Sequence, residues 1–240
     1  MAIDPFLTVG NNGYSNISTG YLLGNEEKIF KKNKKKLKIY KDGLYINKPI
    51  DYTLNKFGYR CNHVIPPAGD YILALGCSHT FGQGLHKEHR YTDLLESHYN
   101  IPVLNIGIYG GSCNLIKDNL IQLFSSGFNL PKNIIIQWPN KHRLFYGTYR
   151  LQNDSKTTIQ SMESLKQYSE TSQNHSRWLL YKYEIPFVEF TVHNEPQSQF
   201  PNFYIDVARD LDHPGIESNQ KIFEYIRKQI NEKRQFFKKI

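Results

Sequence analysis

Five apolar residues, Tyr71, Ile72, Leu73, Ala74 and Leu75, run straight into Gly76, Cys77 and Ser78, and this stretch restricts the fold more than any other. A short continuous apolar run that ends in small residues reads as a strand buried on both faces, the kind found in parallel sheets. Ser78 stands where the strand stops. In an open α/β sheet, ligands bind beyond the carboxyl ends of the strands, so a serine there is placed for chemistry. Gly76, Gly82 and Gly84 allow the backbone to turn tightly around it. An incidental serine in a strand-to-helix turn is the plainer reading of the stretch alone, and only partners elsewhere in the chain can displace it.

A chain of 240 residues has room for one α/β domain and a small extension. No apolar stretch reaches the roughly 18 to 20 residues that a membrane span needs. The start of the chain lacks the basic, then apolar pattern of a secretory signal. Cys61, Cys77 and Cys113 are too few and too scattered for a disulfide framework or a zinc site. A reducing compartment follows as the simpler expectation, cytoplasmic, or viral and acting in a host. The formal charge of +8 suits anionic surroundings. Much of it is local, in a lysine cluster between Lys28 and Lys41 and a pair at Lys238 and Lys239. Such runs are most often solvated faces, so nucleic acid is not the expected partner.

Residues 1–27 are rich in Asn, Gly, Ser and Thr and read as a loop or extended arm. Two short alternating runs from Lys36 to Asn47 flank Asp42 and Gly43, which predicts a β-hairpin. Pro66, Pro67 and Gly69 mark the entry to the main domain, giving an N-terminal extension over 1–65 and a main domain over 66–240. The main domain alternates strand and helix. Strands are expected over 71–75, 103–108, 133–138, 187–191 and 204–207. Helices are expected over 90–99, 112–124 with Ser112 as N-cap, 161–170, 172–183 and 216–236, with 139–170 otherwise an inserted loop region. Strands spaced by helices argue a parallel sheet covered on both faces.

Asp210 and His213 lie three apart, just before the last predicted helix. A serine hydroxyl needs a base to take its proton, and the base works best when a carboxylate fixes its tautomer. An Asp-x-x-His pair alone is most often a surface turn, but with Ser78 it can supply both groups. Asp212 is the other carboxylate within reach, although adjacency to His213 places it poorly. Cys77 offers a rival nucleophile. Neighbours on an extended segment point to opposite sides, so Cys77 and Ser78 cannot both face one site, and Ser78 is preferred. Gly110 and Gly111 follow the second strand, and Trp138, Pro139 and Asn140 close the third. A glycine N–H and the Asn140 amide could donate to a developing oxyanion, each such donor being worth about 3 to 4 kcal/mol in comparable sites. Ordinary tight turns explain both segments equally well.

Taken together, these blocks resemble the SGNH (GDSL-type) hydrolase family, which carries Ser, Gly, Asn and His in this chain order. They are Gly76 to Thr80, Asn105 to Gly110, Trp138 to Asn140, and Asp210 with His213. Gly58, Tyr59 and Arg60 also resemble a segment that often precedes the first block, so the likeness spans about residues 55–230. The resemblance implies a flavodoxin-like three-layer α/β/α fold. It implies Ser78 as nucleophile, His213 as general base and acid, Asp210 as its orienting carboxylate, and Ser78 N–H, Gly110 and Asn140 as an oxyanion hole. Two departures stand out. Cys77 replaces the family's aspartate before the serine, and the third block keeps only its asparagine.

Tyr109, Trp138, Phe145, Tyr146 and Tyr149 suit sugar rings, and Lys141, His142, Arg143 and Arg150 suit acidic ones, although such residues also build ordinary loop cores. The expected function is hydrolysis of a small acyl ester, acetyl for choice, on a carbohydrate or other small molecule. No cofactor or metal is implied. A lipase-like esterase on longer chains, and a degenerate hydrolase fold kept for binding, are the alternatives. The sequence gives no oligomeric state.

Overall fold

The computed structural model describes residues 24–39, 43–55, 58–61, 63, 69–146, 149–152, 159–192 and 200–237. Four parallel strands form the central sheet: β1 (Ile72–Leu75), β2 (Val103–Asn105), β3 (Asn133–Trp138) and β6 (Phe187–Thr191), in the order β2-β1-β3-β6. Alternate side chains along each strand enter different cores. Ile72, Ala74, Ile135, Val188 and Phe190 pack on one face with Leu95 of α4 (Tyr91–Tyr99) and with Ile222 and Ile226 of α7 (Ile216–Phe237). Leu73, Leu75, Ile134, Ile136 and Phe187 pack on the other with Ile116 and Leu120 of α5 (Cys113–Ser125) and Leu179 and Leu180 of α6 (Ile159–Lys182). This is the expected three-layer α/β/α arrangement, with both faces of the sheet buried as near-continuous apolar strands require. The strand order reverses between β1 and β3. In such a sheet the ligand crevice lies outside the carboxyl ends of those strands, where Ser78 and Asn140 lie.

Four local expectations are corrected. The hairpin over 36–47 is instead helical, α1 (Gly24–Ile39) and α2 (Leu44–Asn47), with Asp42 outside the described residues. Lysine and leucine are good helix formers, and Phe30 and Leu37, two turns apart, share the face that packs inward. Leu37 is fully buried there with Tyr45, Ile50, Tyr52 and Leu54. The predicted boundary near residue 65 lies outside the described residues, but residues on either side of it share this third core, since Phe81, Tyr109 and Leu211 pack into it.

The second correction is the strand at 204–207, of which only Val207 forms a bridge, antiparallel, to Pro214. The N–H groups of Ile205 and Asp206 donate to Ser218 Oγ instead of a ladder (3.0 and 3.1 Å). The sheet therefore holds the first four strands of a flavodoxin-like order, and no fifth is present among the described residues. Third, residues 143–152 are not loop but an antiparallel pair, β4 (Arg143–Tyr146) and β5 (Tyr149–Gln152). Aromatic residues on either side of a Gly-Thr pair carried that signal in the sequence. The two helices expected over 161–183 are one. At the expected break, Thr171 and Ser172 donate to carbonyls four residues back (both 2.9 Å), so their hydroxyls are absorbed by the continuous helix. Among the described residues, no helix is long and apolar enough to cross a membrane.

Candidate active site

β1 delivers Ser78 to the first position of α3 (Ser78–Phe81), a single turn that Gly82 ends in the left-handed conformation. Ser78 is 4% exposed. Its Oγ lies 2.8 Å from His213 Nε2, and His213 Nδ1 lies 2.6 Å from Asp210 Oδ2. Thus three residues spanning 135 positions of the chain meet in one hydrogen-bonded line. Burial alone would push the Asp210 carboxyl up, but the hydrogen bond and charge of His213 and the backbone N–H groups of His213 and Asp212 outweigh it. The carboxyl is held below its ordinary value and is ionised near neutral pH. An ionised carboxylate only accepts, so Nδ1 carries a proton, and whenever the ring is uncharged Nε2 presents its lone pair to the Ser78 hydroxyl.

Asp212 contributes its backbone N–H to Asp210 Oδ1 (3.2 Å) and its carbonyl to the Tyr204 hydroxyl (2.6 Å). Asp210 therefore occupies the position next to the imidazole. Cys77 is fully buried and turned away from the line, with its S–H donating to Gln137 Oε1 at 3.1 Å. Sequence reasoning passed over Gln137, the one buried amide in an otherwise apolar part of β3. Its Oε1 also accepts the Cys77 N–H (3.1 Å) and the Thr80 hydroxyl (3.4 Å), and its Nε2 donates to Trp138 O (2.7 Å). A polar side chain in the middle of a buried strand was the available signal, because burying an amide without partners is costly. His79, within the first block, packs against His213 with the two rings nearly perpendicular (89°) and their centroids 5.2 Å apart.

The segment Gly58, Tyr59 and Arg60 gains a physical role. The buried Arg60 guanidinium donates to Gly82 O (2.6 Å), Leu85 O (2.9 Å) and Asp51 O (2.7 Å) and lies 4.4 Å from the centre of the Tyr52 ring. Tyr52 Oη in turn accepts the Gly84 N–H (2.7 Å). Gly84 has φ 76°, and a Cβ there would come within 2.7 Å of Ala208 Cβ and 3.1 Å of Asp210 Oδ1. Its carbonyl accepts the Arg209 N–H (3.0 Å). The turn behind the serine thus grips both the N-terminal segment and the loop that carries Asp210 and His213.

Asn105 Nδ2 donates to Thr80 O (2.7 Å), and its Oδ1 accepts the Gly107 N–H (3.0 Å), which fixes the second block against α3. Gly110 is buried with φ 71° in the turn that follows. Asn140 Oδ1 accepts the His142 N–H (2.8 Å), which assigns the oxygen and leaves the NH2 as the donating end. Trp138, expected among the aromatics around the site, is a core residue whose indole N–H donates to Glu189 (2.7 Å). Lys141 pairs with Glu170 (3.3 Å). The side chains of Phe145, Tyr146, Tyr149 and Arg150 lie outside the described residues. Among the described residues, no group of three or more His, Cys, Asp or Glu side chains is arranged to hold a metal ion.

No family model matches the chain, and no curated protein matches it. Solved structures that it resembles are SGNH and GDSL proteins. One is a G-D-S-L family protein from Desulfitobacterium hafniense DCB-2, with 16% identity and a TM-score of 0.36, over 67% of this chain and 99% of that one. Another is AlinE4, an SGNH-hydrolase family esterase, with 17% identity and a TM-score of 0.37, over 69% of this chain and 74% of that one. A third is a family two carbohydrate esterase from Clostridium thermocellum, with 13% identity and a TM-score of 0.36, over 72% of this chain and 66% of that one. Likenesses of this strength assign no activity to the chain.

Proposed function

We propose that the chain is a serine esterase of the SGNH type, acting on a small acyl ester, acetyl for choice, of a carbohydrate. The observation that carries this reading is the hydrogen-bonded line from Ser78 Oγ through His213 to Asp210. As neutral His213 takes the hydroxyl proton at Nε2, Ser78 Oγ attacks the ester carbonyl carbon. The carbonyl oxygen becomes an oxyanion, for which Ser78 N–H, Gly110 N–H and the Asn140 NH2 are the proposed donors. Collapse breaks the bond to the alcohol oxygen, which leaves with the proton from Nε2. Water then attacks the acyl-serine, giving its proton to His213, and the acid departs as Ser78 regains its hydrogen. Asp210 keeps Nδ1 protonated and supports the transient imidazolium.

Hydrolysis of p-nitrophenyl acetate by wild type, Ser78→Ala and Cys77→Ala tests the reading. Activity is expected to vanish with Ser78 and to survive loss of the Cys77 thiol, with acetate released from acetylated glycans in parallel. Loss with Cys77 alone would overturn it, and release from long-chain esters only would replace the acetyl preference with lipase-like chemistry.

A further inference from the structure

Helix α1 carries seven lysines against two glutamates, so it holds five of the chain's eight net positive charges. Every lysine from Lys28 to Lys38 is exposed. Lys28, Lys31, Lys32, Lys35 and Lys38 fall at helical intervals along one stripe about 15 Å long. Among the described residues, one ion pair draws on this row, between Lys31 and Glu27 (2.7 Å). Like charges three and four residues apart disfavour a helix. The lysines of the last turn are repaid by the helix dipole, whereas those in the middle are not. A face that served only solubility would intersperse the two signs.

Placement adds the second observation. The opposite face of α1 packs into the core that also takes Phe81, Tyr109 and Leu211. The Phe30 ring lies 5.4 Å from the guanidinium of Arg209, the residue before Asp210. Helix α1 therefore stands beside the carboxyl ends of the strands, where the Ser78, His213 and Asp210 line is built, with its lysine stripe on the outer side. We propose that α1 is a docking ridge for a polyanionic polysaccharide, a carboxylate-bearing glycan whose neighbouring units present the ester to Ser78. The ester part of this rests on the function proposed above; the binding part does not. The ridge contains no arginine, and its single aromatic, Phe30, faces inward. It therefore lacks the bidentate donors that read bases and the exposed rings on which bases stack. A glycan polyanion fits a row of point charges better than a nucleic acid does.

Binding is measured on the Ser78→Ala protein, so that catalysis plays no part. The probes are polygalacturonate, neutral dextran and duplex DNA, each at several salt concentrations. The expected result is binding to polygalacturonate that weakens steeply with salt, none to dextran, and weaker binding to DNA. Changing Lys28, Lys32 and Lys35 together to serine should weaken polygalacturonate binding about tenfold or more and flatten its salt dependence. Changing the same three to arginine should retain binding, and unchanged circular dichroism would show that both variants fold. Equal binding by the serine variant, no binding by the Ser78→Ala protein, or a preference for duplex DNA would each overturn the proposal. Binding by a protein whose wild type fails to hydrolyse p-nitrophenyl acetate would support the ridge and count against the esterase.

Discussion

The nucleophile and its base are held by two different kinds of structure. Ser78 ends a strand buried on both faces, and Gln137 gathers the N–H and thiol of Cys77 and the hydroxyl of Thr80 behind it. Asp210 and His213 sit on an irregular loop with one bridge of its own, Val207 to Pro214. That loop is fixed at its ends, by Gly84 on one side and by Asp206 on the other. Asp206 Oδ1 and Oδ2 accept the N–H groups of Ser218 and Glu217 (2.8 and 3.0 Å), which caps α7, and its carbonyl accepts the Gly215 N–H (2.9 Å). Packing thus fixes one half of the site and a few hydrogen bonds fix the other. Each half is therefore vulnerable in its own way.

The largest effect should come from the link between the halves. Asp210→Asn leaves the shape intact but no longer requires a proton on Nδ1, and kcat on p-nitrophenyl acetate should fall by about 10⁴. The same group makes stability depend on acid. Its folded carboxyl lies below the unfolded value near 3.9, so its contribution is present above about pH 4 and is lost as pH falls further, through the folded value. Urea denaturation as a function of pH should show that loss in wild type and not in Asp210→Asn.

Gln137→Leu attacks the packed half. It leaves the buried Cys77 N–H and thiol without their acceptor and takes one partner from the Thr80 hydroxyl, which keeps Tyr91, at a cost of about 2 to 4 kcal/mol in urea denaturation. Activity should fall with it, since the first turn of α3 loses its anchor. Asp206→Ala attacks the tethered half. Loss of the cap should cost about 1 to 2 kcal/mol, less than the Gln137 change. Its activity loss should nonetheless be the greater for each kcal/mol of stability, because the loop it frees carries the base. If both variants lost activity in simple proportion to stability, the contrast between the two halves would be mistaken.

The packed half was legible in the sequence. The apolar run to Leu75 and the six-residue strand over 133–138 follow from local pattern, because burial on both faces leaves a continuous apolar signature, and the closing helix follows from its helical spacing of apolar residues. Ser78, Asp210 and His213 were each ambiguous alone and gained meaning through their order along the chain. The tethered half was harder to read. Residues 204–207 carry strand-like residues, but their N–H groups turn to Ser218, a contact no local window contains. Residues 36–47 misled in the opposite sense, since the short alternation around Leu37 resembled a strand while Phe30, two turns away, set a helical face. Gln137 could have been noticed as a polar residue within an apolar strand. Its partners, sixty residues earlier, could not.

The most direct measurement is labelling of the folded protein with a serine-reactive fluorophosphonate, followed by mapping of the adduct by mass spectrometry. A single adduct is expected on Ser78, formed rapidly in wild type and in Cys77→Ala and suppressed in His213→Ala. An adduct on Cys77, or no adduct on a protein shown to be folded, would contradict that expectation.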